Sequence, residues 1–132
     1  MLNTSRYRII AIGKVQKAWI KDGIALYKKR LPGINIIEIR DSNPTKEAKT
    51  IEGIIKPGEK IIVLSEEGAK ITSIALAKRL ESLGSQRLAF VLGGPSGLTN
   101  LIKSSAFWKL SLSPMTFPHE MARLILLEQI YR

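Results

Sequence analysis

The sequence predicts a single α/β domain with a mainly parallel sheet flanked by helices, and three observations support this fold class. Short apolar runs of strand type alternate with stretches in which apolar residues recur at helical spacing. The strand-type runs are almost continuously apolar, which is typical of strands covered on both faces. The 132 residues are one domain in length and contain no linker, repeat or low-complexity segment, so residues 1–132 are expected to fold as one unit.

Five apolar runs are predicted as strands. Each is a short run of mainly apolar residues, and the first one is stopped by Gly13. The predicted strands are residues 7–12, 34–39, 60–64, 87–92 and 108–112.

The segments between these runs are predicted as helices. Ser42 or Asn43 is expected to cap the second helix and Thr72 or Ser73 the third, because such side chains accept hydrogen bonds from first-turn N–H groups. Proline is favoured at a first helical position, so the last helix is expected to begin near Pro118. The predicted helices are residues 16–31, 44–55, 73–83 and 100–106, followed by this last one.

Composition excludes several classes of protein. Without cysteine the chain has no disulfide framework, thiolate nucleophile or cysteine-zinc site. No apolar run approaches the roughly 18 residues of a membrane span, and Arg6 and Arg8 interrupt the apolar N-terminal stretch, unlike a signal peptide. We therefore expect a soluble, cytoplasmic protein with no membrane partner.

The net charge of +10 is concentrated near the N-terminus. Residues 1–30 contain eight basic side chains and one acidic one, Asp22, which leaves +7 there and +3 over the remaining residues. A one-sided basic field favours a polyanionic partner, of which nucleic acid is the commonest in a cell. The alternative is a solvated helix face on a basic protein.

Three segments follow predicted strands, where ligands bind in open parallel sheets: residues 64–68, 93–97 and 112–118. The glycine-rich segment is not a P-loop or a G-x-G-x-x-G motif. Leu98 occupies the position where a nucleophile elbow needs its final glycine. Paired glycines suggest backbone packed closely against a flat or apolar ligand, although a tight structural turn explains them equally well.

His119 and Arg123 are four residues apart and hence on one face of the last helix, next to the third segment. A structural histidine, and an Arg123 ion pair with Glu120, are the alternatives to a catalytic pair. With one histidine and no cysteine, no metal site is expected.

The last helix is apolar on nearly every face. A helix on the surface of a sheet needs only one apolar stripe, so a second face must also be covered. Deep burial within the monomer is one explanation, and a homodimer interface that includes Leu124, Ile125, Leu126 and Leu127 is the favoured one.

Two C-terminal blocks carry a resemblance to a known family. Residues 90–98 (FVLGGPSGL), residues 110–119 (LSLSPMTFPH) and the closing EQIYR together resemble the ribosomal RNA large-subunit methyltransferase H family, which are knotted SPOUT-superfamily enzymes. Gly13-Lys14, Tyr27 and Lys29-Arg30-Leu31 extend the similarity to essentially the whole chain.

The resemblance implies methylation of N3 of a pseudouridine in large-subunit ribosomal RNA, within the ribosome, with S-adenosylmethionine as the donor and no metal. It also implies a C-terminal trefoil knot, a rare exception to unknotted connections. In this interpretation His119 is the general-base or orienting residue, and Arg123 binds a phosphate or steadies negative charge on the uracil ring. The cofactor-binding residues would be Leu64, Gly93, Leu112, Ser113, Pro114, Met115, Thr116 and Phe117.

Two other functions remain open: a non-catalytic RNA-binding protein of ribosome assembly, and a different α/β enzyme acting on a small anionic substrate. Members of the resembled family continue past the Tyr-Arg with a tail containing Pro-Tyr-His that is expected to help form the site. The sequence given stops at Arg132. If it is the entire working chain, cofactor binding with slow methyl transfer is expected; the alternative is that the sequence given omits the tail.

Overall fold

Five parallel strands form one sheet in the computed structural model, which describes residues 4–84, 86–93, 102–103, 106–111 and 119–131. The strand order is β2-β1-β4-β3-β5, which confirms the predicted parallel α/β fold. The strands are β1 (Tyr7–Ile12), β2 (Asn35–Ile39), β3 (Lys60–Lys70), β4 (Leu88–Leu92) and β5 (Trp108–Ser111).

The helices begin at the predicted caps. Asn43 Oδ1 accepts a hydrogen bond from the Lys46 N–H at 2.9 Å, and Thr72 Oγ1 accepts one from the Ala75 N–H at 3.0 Å. No helix in the described part of the chain is long and apolar enough to cross a membrane. The helices are α1 (Ala18–Arg30), α2 (Pro44–Ile54), α3 (Ser73–Leu83) and α4 (His119–Tyr131), after a 3-10 turn at Thr4–Arg6.

Both faces of the sheet are buried, which explains why the strands are continuously apolar. Side chains alternate along β1: Ile9 enters a core with residues of α3 and α4, whereas Ile10 enters a second core with residues of α2. The predicted helix over residues 100–106 contributes Ile102 to the second core, and Ile102 and Lys103 are helical. Residues 100, 101, 104 and 105 lie outside the described part.

Strand β3 is longer than the sequence predicts. Instead of ending at Leu64 in an open loop, it continues to Lys70. Leu64 and Ala69 both pair with Leu110 of β5, so the intervening residues bulge out and the strand then rejoins the sheet. Gly68 permits this return, because a Cβ at this position would lie 2.8 Å from the carbonyl carbon and oxygen of Lys109.

Replacing Gly68 by alanine is expected to destabilise the fold by about 1–3 kcal/mol, because backbone must move to admit the methyl group. Thermal unfolding measures this effect. Gly53→Ala is the matched control: nothing lies within 4 Å of a Cβ there, and alanine in a helix should stabilise by about 0.5–1 kcal/mol. A Gly68→Ala protein as stable as the wild type would contradict the close backbone approach.

Candidate active site at the carboxyl edge of the sheet

Two of the predicted cofactor-binding residues lie side by side at the carboxyl edge of the sheet. Leu64 of β3 pairs with Leu92, the last residue of β4, and Gly93 follows Leu92 directly. Leu64 also pairs with Leu110 of β5. Leu64 and Gly93 are both half-buried.

The third predicted segment continues from β5, on the other side of β3. Its residues Leu112, Ser113, Pro114, Met115, Thr116 and Phe117 lie outside the described part of the chain, as do residues 94–97. Residues 64–68, predicted as an open loop, belong to β3 and its bulge. The described residues suit a flat ligand with an apolar face, since Leu64 supplies an apolar wall and Gly93 a backbone without a side chain.

Arg123 is buried where α4 crosses the ends of β1 and β2. Its side chain is 2% exposed, and Nη1 lies 2.6 Å from Glu38 Oε2. Nη2 donates to the carbonyl oxygen of Gly13 at 3.0 Å, while Nε is buried without a hydrogen-bond partner. Arg123 therefore joins the first turn of α4 to two strands of the sheet.

Glu120 fastens the same turn of α4 to the beginning of α1. Its Oε1 accepts hydrogen bonds from the Gln16 N–H at 2.7 Å and from the Lys17 N–H at 3.2 Å. A carboxylate here satisfies N–H groups that the helix leaves unpaired and complements the positive end of the helix dipole. The alternative in which Arg123 pairs with Glu120 is wrong, because each side chain contacts a different element.

His119 is the first residue of α4, and its side chain lies outside the described part. The contacts of Glu120 and Arg123 place the backbone of this turn beside the end of β1. Because β1 adjoins β4, His119 and Gly93 belong to the same edge of the sheet. Within the described residues, no three His, Asp or Glu side chains are grouped to hold a metal ion.

The faces of α4 are covered unequally. Leu126, Leu127 and Ile130 are buried in the core, while Leu124 packs on α1, where a Cβ at Gly23 would lie 3.1 Å from its Cδ1. Ile125 is half-buried. Burial within the monomer therefore accounts for part of the apolar character of this helix.

The comparisons with known proteins decide the family. A family model described as "Predicted SPOUT methyltransferase" matches residues 5–132. The chain belongs to the SPOUT methyltransferase family. Its match begins before β1 and includes α4, so both the sheet and the candidate site belong to the SPOUT methyltransferase unit.

Curated relatives match this SPOUT methyltransferase over nearly its whole length. It is 61% identical over 131 residues to the ribosomal RNA large subunit methyltransferase H of Parasynechococcus marenigrum (strain WH8102), with 99% of this chain and 91% of that protein covered. It is 58% identical over 132 residues to the protein of the same name from Prochlorococcus marinus (strain MIT 9211), with 100% and 91% covered.

A solved structure has the same fold. The crystal structure of a probable methyltransferase from Bordetella pertussis Tohama I superposes with a TM-score of 0.66 and 14% identity, covering 98% of this chain and 94% of that one. The α/β SPOUT fold is therefore confirmed. The trefoil knot involves residues outside the described part and stays a prediction.

Sequence reasoning missed the residues that hold α4 in place. Glu38 and Gly13 are 85 and 110 positions away from Arg123 along the chain, and no local pattern marks such partners. The one available signal was chemical: an arginine within a strongly apolar helix needs acceptors, because a buried cation is costly unless it is paired.

Proposed function

We propose that this SPOUT methyltransferase transfers a methyl group from S-adenosylmethionine to N3 of a pseudouridine in large-subunit ribosomal RNA, in the cytoplasm. The observation that carries the proposal is the 61% identity, over 99% of the chain, with a relative named ribosomal RNA large subunit methyltransferase H. The convergence of Leu64 and Gly93 at one edge supports a donor site in the same molecule.

The donor is assigned to Leu64, Gly93 and residues 112–117. Leu64 would pack against an apolar face of the donor, and the Gly93 backbone would approach it closely because no side chain intervenes. S-adenosylmethionine supplies a methyl group already activated by the sulfonium. The protein has to align donor and acceptor and assist loss of the N3 proton.

We assign His119 the role of general base or orienting residue, because the backbone of its turn lies beside β1 at the donor edge. Arg123 is assigned a positioning role. With a side chain only 2% exposed and bonded to Glu38 and Gly13, it fixes the turn that carries His119 rather than presenting its charge to a phosphate. This replaces the phosphate or uracil contact predicted from sequence.

RNA binding is assigned to the exposed cations of the N-terminal third. Lys14 and Lys17 precede α1, and Lys21, Lys28 and Lys29 lie on it, all solvent-exposed. Lys14, Lys17 and Lys21 lie next to the candidate site, because Glu120 ties the start of α1 to the start of α4, whereas Lys28 and Lys29 lie at the far end of α1. Neutralising phosphates with such residues gives affinity that falls steeply with salt.

The decisive experiment follows methyl transfer from labelled S-adenosylmethionine to free large-subunit RNA, isolated large subunits and assembled ribosomes, and then identifies the modified nucleoside. Label in N3-methylpseudouridine is the expected result. RNA binding without donor binding in calorimetry would favour the non-catalytic assembly protein. RNA affinity that does not depend on salt concentration, together with methyl transfer to a small anion, would favour the alternative of an α/β enzyme that acts on a small anionic substrate.

Gly93→Val is expected to lower the affinity for S-adenosylmethionine at least a hundredfold, because a branched side chain would occupy the space where the donor approaches the backbone. Isothermal titration calorimetry gives the donor affinity, and RNA binding serves as the control that should survive. Unchanged donor affinity would refute the site assignment.

We also propose that the protein is a homodimer that buries the seam between α1 and α4. Trp19 and Leu26 on α1 are 57% and 47% exposed, and their spacing of seven places them on one helix face. Gly23 lies between them and packs on Leu124 of α4. A monomer would leave this apolar seam in water.

Ile125→Asp is expected to convert the dimer to monomer, since an unpaired carboxylate would be buried in the interface. Light scattering should give about twice the chain mass of 14.7 kDa for the wild type and the single mass for the variant. Lys46→Asp, at an exposed position on α2, is the control and should stay dimeric. A monomeric wild type at micromolar concentration would overturn the dimer.

A further inference from the structure

A polar cavity of about 280 Å³ lies at the amino edge of the sheet, opposite the candidate active site. Its walls come from segments that precede or begin β1, β3 and β4. Every lining residue is polar or charged: Ser5, Arg6, Arg8, Lys56, Glu59 and Arg87. We call it the amino-edge pocket.

The acid in this pocket is already paired. Arg8 donates to both oxygens of Glu59, from Nε at 2.7 Å and from Nη2 at 2.6 Å. The Lys56 backbone N–H also donates to Glu59 Oε1 at 3.1 Å, and Arg8 Nη2 donates to the carbonyl oxygen of Ile54 at 2.8 Å. The side chains of Arg8 and Glu59 are only 12% and 2% exposed, so the pair is a fixed part of the wall.

The other charges are all positive. Arg8 and Glu59 cancel, and the other charged residues of the wall, Arg6, Lys56 and Arg87, are all cations. Lys56 and Arg87 are solvent-exposed, so a ligand can reach them. Among the described residues, the wall contains no aromatic or aliphatic side chain, so the pocket offers polar and charged groups only. This chemistry suits a phosphate, which accepts hydrogen bonds and carries negative charge.

The amino-edge pocket and the candidate active site are separated by the length of the central strands. Five residues of β4 lie between Arg87 and Gly93, which corresponds to a separation of at least about 13 Å. A ligand group in this pocket therefore does not touch the donor site.

We propose that the amino-edge pocket binds a backbone phosphate of the RNA substrate, away from the nucleotide that is methylated. The inference rests on the proposed function for its RNA substrate. It divides the cations of the chain into two groups, because Lys14 and Lys17 lie near the candidate active site at the start of α1, whereas Lys56 and Arg87 would contact the RNA at the opposite edge. Phosphate contacts of this kind set the orientation of a nucleic acid without reading its sequence.

The test is the double variant Lys56→Ala/Arg87→Ala, which leaves the Arg8–Glu59 pair intact. Affinity for large-subunit RNA should fall about tenfold or more at moderate salt. The slope of log affinity against log salt should become shallower by about two, one for each phosphate-contacting cation removed. In turnover, KM for the RNA should rise while kcat at saturating RNA and donor affinity stay unchanged.

The charge-matched control is Lys49→Ala/Lys78→Ala, which removes two exposed cations from α2 and α3 outside the pocket. Its RNA affinity should stay within about twofold of the wild type. Equal losses in both double variants would reduce the effect to general charge and overturn the proposal, as would no loss in the pocket variant.

Methyl transfer and RNA affinity, measured together, distinguish failure of the pocket proposal from failure of the proposed function. If the wild type methylates RNA and the pocket variant behaves like the control, the pocket proposal fails while the proposed function stands. If no methylation occurs but the pocket variant alone loses salt-dependent RNA affinity, the pocket proposal stands and the proposed function fails. A third outcome uses an NMR titration of the wild type with inorganic phosphate. If phosphate shifts the resonances of pocket residues, but the double variant binds RNA as tightly as the wild type, the pocket binds a free anion. That result would overturn the RNA contact.

Discussion

Replacing Arg123 by lysine is expected to lower the rate of methyl transfer on the order of a hundredfold, the cost of a roughly 1 Å misplacement at a reacting centre. The guanidinium of Arg123 bonds to Glu38 of β2 and to Gly13 after β1 with two different nitrogens. A lysine keeps the charge but lacks the planar fork, so it cannot hold both acceptors in the same geometry. The first turn of α4, with His119, would lose its fixed place.

Single-turnover methyl transfer at saturating donor and RNA measures this effect, while calorimetry should give unchanged affinity for S-adenosylmethionine. Arg79→Lys is the matched control. The Arg79 guanidinium carbon lies 4.3 Å from the ring centre of Trp108, and a lysine there retains a cation–π contact. Glu38→Gln should also slow methyl transfer. The double variant Glu38→Gln/Arg123→Lys should lose less activity than the sum of the two single effects, because both remove the same contact. Full activity in the Arg123→Lys protein would remove the positioning role.

Replacing Arg8 by methionine is expected to destabilise the fold by about 3–5 kcal/mol, because it leaves the carboxylate of Glu59 buried without its partner. The Glu59 side chain is only 2% exposed, and a methionine offers its carboxylate neither a positive charge nor a hydrogen-bond donor. Urea unfolding measures the loss. Arg87→Met, at an exposed position beside the same cavity, should change stability by less than about 0.5 kcal/mol. Similar values for the two variants would contradict a buried ion pair.

The Arg8–Glu59 pair also makes the free energy of unfolding depend on pH. Burial alone would raise the pKa of Glu59, but the hydrogen bonds from Arg8 and from the Lys56 N–H outweigh this and lower the pKa below its usual 4.5. The unfolded chain therefore binds the proton more readily than the folded one. The stabilisation is present above about pH 4.5 and is lost as the pH falls through the folded pKa.

Unfolding experiments between pH 3 and pH 7 test this dependence. The free energy of unfolding of the wild type should fall more steeply with acid than that of an Arg8→Met/Glu59→Met protein, in which neither charge remains. Parallel profiles would show that the titration of Glu59 is not coupled to folding.

The sheet could be predicted from sequence because its strands are short apolar runs bounded by glycine and polar residues. Helix caps also follow local rules, as Asn43 and Thr72 illustrate. The course of β3 beyond Leu64 could not be predicted, because it depends on Gly68 meeting the backbone of β5, which is distant in the chain.

At the candidate site, the proximity of Leu64 and Gly93 could be predicted, because strand ends meet at one edge of a parallel sheet. The partners of charged residues could not be. Arg8 was counted with the cations available to a polyanion, yet it pairs with Glu59, 51 positions away. Arg123 was expected to contact the substrate, a prediction that stands untested, and its bonds to Glu38 and Gly13 were not anticipated. Charge counts describe the field of a chain and leave open which charges are already neutralised inside it.

The hydrogen bonds from the Gln16 and Lys17 N–H groups to Glu120 join the start of α1, which carries cations, to the start of α4 at the candidate active site. A displacement of α1 by a bound polyanion would therefore be transmitted to α4 through the Glu120 carboxylate, together with the packing of Leu124 on Gly23. Such a connection obeys reciprocity: whatever factor bound RNA applies to donor affinity, bound donor applies to RNA affinity. Occupancy of either site would then change the affinity at the other by the same factor, whichever ligand binds first.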